Sequence, residues 1–156
     1  MADDLHPPAS LYDRDFVAWT VAQARALRTR RGGENALDYD HLAEEIEDLG
    51  KSEIRACLSL IDRIVEHLLK IEYIGGQDLP HWKGEIRAFR RSLARTLTPS
   101  ITRQIQPQAA EVVKEAAVEL AERGLLDTAT PPRVDIGYSW DQITDPEWYP
   151  APAGSD

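Results

Sequence analysis

Sulfur, aromatic rings and long apolar runs are all scarce in this chain. A single cysteine, Cys57, stands among 156 residues and leaves no partner for an intramolecular disulfide. Its neighbours Ala56 and Leu58 mark it as a small buried hydrophobe and not a reactive thiol, because burial among apolar groups raises a thiol's pKa. No apolar stretch approaches the ~20 residues that a membrane span needs. The opening residues, Met1 to Pro8, carry neither the basic region nor the apolar run of a signal peptide, so the expectation is a cytoplasmic protein with no membrane association. No segment alternates polar and apolar residues for long enough to make a strand.

Motifs that carry chemistry are missing too. The chain has no Gly-x-Ser-x-Gly and no glycine-rich phosphate loop. It has no His-Glu-x-x-His and no Glu-x-x-His, the pair that marks di-iron bundles. Ser52, Ser59 and Ser92 fall in helical segments without an evident base beside them. No cofactor is expected. Gly75-Gly76-Gln77 matches a tripeptide of peptidyl-tRNA hydrolysis in release factors, but it lacks a basic surround, and a helix–helix turn explains the glycines.

What is present is charge and helical period. The net charge of −9 argues against a generic nucleic-acid binder. A chain of this length fits one domain and buries roughly 68–70% of its unfolded surface, so it needs no metal or disulfide staple. Residues 1–10 read as a loose N-terminal arm, with Ser10 or Asp13 available as a helix cap.

From Asp13 to about Arg31, Phe16, Trp19, Ala22, Ala26 and Leu27 recur at three and four and predict a helix with one buried stripe, stopped at Gly32-Gly33. Asp38 is placed to cap a second helix whose core side is read as Leu42, Ile46 and Leu49. Gly50 either breaks that helix or is tolerated at about 1 kcal/mol against Ala. Ser52 to about Tyr73 is apolar on several sides, as the central helix of a bundle is. A helix from about His81 to Leu97 follows the Gly75–Pro80 connection, Thr98-Pro99 reads as a cap and first helical position, and Pro107 must start or kink a helix. A further helix ends at Gly124. The tail, 125–156, holds five of the ten prolines and four of the eleven aromatic residues, with a capping box from Ser139 to Gln142. The predicted fold is all-α, a bundle of about five helices in a single domain spanning 1–156, with the aromatic tail laid across it.

Two stretches resemble a bacterial family known as Domain of Unknown Function twenty-nine. They are Leu11-Tyr-Asp-Arg-Asp-Phe-Val-Ala-Trp19 and Asp40-His-Leu-Ala-Glu-Glu-Ile-Glu-Asp-Leu-Gly-Lys-Ser-Glu53. His67 to Lys70, Trp82, Ile86-Arg87, Arg90-Arg91 and Trp148-Tyr149-Pro150 look like its later landmarks in the same order, so the resemblance runs over roughly residues 11–150. It implies an all-helical fold and brings no established activity or catalytic residue with it.

Two constellations remain as candidate sites. Residues 38–53 hold seven carboxylates against Lys51, whereas 81–103 hold six cations against Glu85. Lys83, Arg87, Arg91 and Arg95 recur every four residues, forming one basic stripe that would take an anion or an acidic partner unless the two charged faces neutralise each other. His41 and Glu45 share a helix face and His67 points at or near the core. This set of imidazole and carboxylate would suit a divalent transition metal. A Glu45 buried beside its helix's core edge would instead need Arg87, Arg91 or His67 as partner. The leading functional reading is a non-enzymatic protein–protein interaction module, working through the basic stripe or the aromatic tail. The alternatives are a metal-binding bundle built on His41, Glu45 and His67, and a nucleic-acid binder using helix 81–103. Self-association into a homo-oligomer is compatible with all three.

Overall fold

The computed structural model describes residues 10–30, 37–126 and 137–153. The expected Gly32-Gly33 stop, most of the N-terminal arm and part of the tail lie outside these residues. Seven α-helices form among the described residues, which contain no strand. α1 (Leu11–Arg14) is a single turn closed by a capping box in which Ser10 and Asp13 bond each other's backbone amides. Asp15 ends it and caps α2 (Phe16–Thr29). α3 runs without interruption from Tyr39 to Tyr73, 35 residues, with Asp38 capping the His41 amide. At about 1.5 Å per residue it is roughly 52 Å long.

Gly75 and Gly76, both at positive φ, turn the chain into α4 (Leu79–Thr96). Thr98 caps α5 (Pro99–Ile105), and the missing amide of Pro107 is absorbed by a 3₁₀ turn, Gln106–Gln108, before α6 (Ala109–Glu122). Gly124 at φ 69° stops α6. Ser139 closes a capping box with Gln142 on α7 (Trp140–Thr144).

α3 is the spine, packed by α2, α4, α5, α6 and α7. In its second half Cys57, Ile61, Ile64, Val65, Leu68 and Leu69 are fully buried, each large aliphatic contributing about 1.5–3 kcal/mol by leaving water. They meet Ile86 and Leu93 of α4, Ile101 and Ile105 of α5, Val113 and Leu120 of α6, and Ile143 of α7 in one core.

The first half of α3 corrects the sequence reading. Leu42 and Leu49 are 40% and 54% exposed, and Ile46 is only half-buried. The buried positions are Ala43 and Gly50, which let α2 come close. α2 differs in the same way. Its buried face is Val17, Thr20 and Ala24, not the stripe of Phe16, Trp19, Ala22, Ala26 and Leu27. A period of three and four does not distinguish two neighbouring faces when small residues make the contact. Phe16 and Trp19 stack on each other at 5.8 Å and meet Tyr12 edge-on at 5.4 and 4.9 Å, an aromatic cluster on the outside of α1 and α2.

Gly50 stays inside the helix because space is short. A Cβ there would lie 2.4 Å from Thr20 Oγ1 but 3.4 Å from Thr20 Cβ. Thr20 is stiff, being β-branched, and its hydroxyl donates to the Val17 carbonyl at 2.8 Å. Gly50→Ala should therefore destabilise the protein by about 1–3 kcal/mol through overpacking. In a Thr20→Ala background the same change should turn neutral or stabilise by up to about 1 kcal/mol, since helix propensity alone remains. Urea unfolding of the four proteins in the cycle measures the sign change.

Asp15 joins two helix starts. Its carboxylate accepts from the Ala18 amide at 3.0 Å, the Ser100 amide at 2.9 Å and the Thr98 hydroxyl at 3.2 Å. Burial alone would raise its pKa, but these hydrogen bonds outweigh it and hold the carboxyl below its ordinary value. A depressed folded pKa stabilises above the unfolded value, and that contribution is lost as pH falls through the folded one. Asp15→Asn should cost about 1–2 kcal/mol at neutral pH, and its gap to the wild type should narrow as pH falls to about 3. Denaturant midpoints at the two pH values test this.

Candidate functional site

α4 has two unlike sides. Ile86, Arg90 and Leu93 are buried, with Trp82 and Phe89 packed half-buried beside them. The opposite side carries Arg87, Arg91 and Arg95, all exposed and without an ion-pair partner among the described residues. Lys83, the fourth member of the expected stripe, is half-buried and lies 5.1 Å over the ring of Tyr149, so the tail holds it. The working basic stripe is thus three arginines, each separated from the next by a rise of roughly 6 Å.

The acidic half of α3 does not neutralise it. Its ion pairs are Arg28 with Glu47, His41 with Asp38, and Lys51 with Asp48 at 2.8 Å, none of them to α4. The reason is register. α4 runs antiparallel to α3, with Glu85 level with His67 and Phe89 level with Arg63, so α4 ends at about residue 56 of α3. The carboxylates of 38–53 lie beyond that end. Asp40, Glu44, Glu45 and Glu53 have no ion-pair partner among the described residues.

The three residues expected to hold a metal are not brought together. His41 and His67 stand on the same helix, 26 positions apart, an axial separation of roughly 39 Å. His41 is exposed, with Nδ1 engaged by the Asp38 carboxylate, which pushes the imidazole pKa up and draws the Asp38 pKa down. Glu45 is exposed, so the buried pair expected for it with Arg87, Arg91 or His67 does not form. His67 is buried with both ring nitrogens engaged, Nδ1 with the Arg63 carbonyl at 2.7 Å and Nε2 with Glu85 at 2.6 Å. His81 approaches the same Glu85 oxygen at 3.5 Å. Among the described residues no three His, Cys, Asp or Glu side chains gather as a metal would require.

Cys57 is buried, and burial pushes its thiol pKa up, as expected.

Arg90 is the buried cation that counting charges does not single out. It is 3% exposed and makes no ion pair among the described residues, although the carboxylates of Asp145 and Glu147 lie near enough to favour its charge against the cost of burial. Nε donates to the Ile143 carbonyl at 2.9 Å, one Nη to Trp148 at 2.8 Å and the other to Gln142 at 2.8 Å, and the guanidinium lies 5.4 Å over the Tyr149 ring. Its signal was its place between Ile86 and Leu93 on the apolar face. Tyr138 closes the other edge of the tail. It is buried, its hydroxyl donates to Glu72, and burial followed by that bond pushes its pKa up. The Ala153 amide donates to the Glu72 carbonyl at 2.7 Å. The tail rings are therefore committed to the protein's own surface.

Lysine cannot reproduce a planar fork that reaches three carbonyls. Arg90→Lys should cost about 2–3 kcal/mol and release the tail. Limited proteolysis within 137–153 should accelerate, and tryptophan emission from Trp148 should shift to the red. A variant as resistant as the wild type would contradict the clamp.

Comparison with known proteins returns no activity. The model of the family described as domain of unknown function DUF29 matches residues 11–149. A solved structure, an alpha-helical protein of unknown function from Rhodospirillum rubrum, is similar at TM-score 0.70 and 27% identity, covering 90% of this chain and 92% of that one. No curated protein matches the sequence.

Proposed function

This chain belongs to the DUF29 family of domains of unknown function, and from that premise we propose that it is a non-enzymatic protein–protein interaction module whose docking face is the outer side of α4. The observation that carries this reading is that Arg87, Arg91 and Arg95 project together, exposed and without an ion-pair partner among the described residues, from a helix whose other side is buried in the core. Arginine is favoured at protein interfaces, and its planar fork suits carboxylates. The aromatic tail, the other candidate surface, is occupied by Arg90 and the core. The partner that fits is acidic.

Phosphate tracking along nucleic acid would need the stripe to continue onto other cations, and Arg28 is taken by Glu47. No helix among the described residues is long and apolar enough to cross a membrane. A cytoplasmic setting is part of the proposal, supported by a lone buried cysteine in an acidic, charge-rich chain.

The test compares wild type with an Arg87→Ala/Arg91→Ala/Arg95→Ala variant as bait in nuclease-treated lysate. An acidic protein retained by the wild type, lost by the variant and eluted by salt is expected. Capture that is equal for both baits, or that vanishes on nuclease treatment, would overturn the reading.

A further inference from the structure

The first half of α3 presents an open face. Leu42 and Leu49 are exposed, Ile46 is half-buried between them, and Glu45 and Glu53 flank them. At about 100° per residue these five positions fall within roughly 100° of the helix circumference, one continuous stripe. The same stripe continues into the second half of α3 as Leu60, His67 and Ile71, where α4 covers it. Beyond the end of α4 none of the described helices covers it, and the apolar side chains continue as Leu42, Ile46 and Leu49. On α2, Arg28 pairs with Glu47 at the opposite edge of the α2–α3 seam, so α2 does not cover this face.

We infer that the occupant is a second copy of this chain, whose α4 outer face lies along the uncovered stripe. This rests on reading that α4 face as the docking surface and names its acidic partner. The complementarity is of charge and of shape. Glu45 and Glu53 are eight residues apart, as are Arg87 and Arg95, and both pairs span roughly 12 Å along their helices. Neither set has an ion-pair partner among the described residues. Beside its arginines the α4 face carries the small residues Gly84, Ala88 and Ala94, and a Cβ added at Gly84 would meet nothing within 4 Å. That leaves room for Leu42 and Leu49. Apolar burial supplies the affinity and the flanking charges fix the register.

The experiment is light scattering on gel-filtered full-length protein over a wide concentration range at low and high salt. The wild type is expected to dimerise at low salt, more weakly as salt rises. Leu49→Glu should abolish the dimer. Reversing both carboxylates (Glu45→Arg with Glu53→Arg) and reversing both arginines (Arg87→Glu with Arg95→Glu) should each weaken it at least about tenfold, and the two sets together should restore it. Circular dichroism checks that each variant is folded. A wild type that stays monomeric at every concentration overturns the inference, as does a dimer that survives all these changes. Leu49→Glu leaves the arginines untouched, which separates the two claims. Stripe-dependent capture of an acidic protein by a strictly monomeric chain removes the second copy and leaves the docking face.

Discussion

Everything in this fold is arranged by the length of one helix. α3 is about 52 Å long, more than the rest of the bundle can wrap. Its second half is enclosed by four other helices and carries the large aliphatic core. Its first half has α2 on one side and solvent on the other. That inequality explains why Ala43 and Gly50 make the contact with α2 while Leu42 and Leu49 stand outside. It also explains why the acidic segment, on the projecting half, is out of reach of the arginines of α4.

The tail is held by a different physics. A guanidinium buried without a direct ion pair is costly unless its donors are met, and here three carbonyls of one short segment meet them. Two of those carbonyls, from Gln142 and Ile143, lie near the C-terminal end of α7, where a cation is favoured by the helix dipole. Arg90 thus converts a proline-rich segment with little intrinsic structure into a fixed strap across α4. The strap also claims Lys83 through Tyr149, leaving three arginines outside.

The helices were legible in the sequence because their ends are written in local chemistry. Thr98-Pro99, Ser139 with Gln142, and Gly124 each act within one turn, and each stands where the pattern placed it. Faces were less legible. Phe16 and Trp19 follow helical spacing as well as Val17, Thr20 and Ala24 do, and only the close approach at Gly50 decides between them. The basic stripe was readable as a period of four, but Lys83's capture by a tail residue 66 positions away was not. The metal set does not form for a plainer reason: Gly50 lies inside an unbroken α3, which holds His41 and His67 26 positions apart on one helix.

Acidic and basic stripes with no ion-pair partner among the described residues cost little while the protein is alone, because exposed charges are well hydrated and surface ion pairs are worth only about 0–1 kcal/mol each. The exposed leucines cost more, and burying them against a second copy supplies the gain that charge alone does not. Such a contact is unlike on its two sides, so it closes only under symmetry. A two-fold pair lets each acidic arm meet the other copy's α4 and leaves no stripe unmatched. A head-to-tail chain would leave one open at each end and keep growing. The net charge of −9 opposes that growth, since every added copy brings more negative charge to the assembly. The closed pair is therefore the arrangement in which local attraction and overall repulsion are both accommodated.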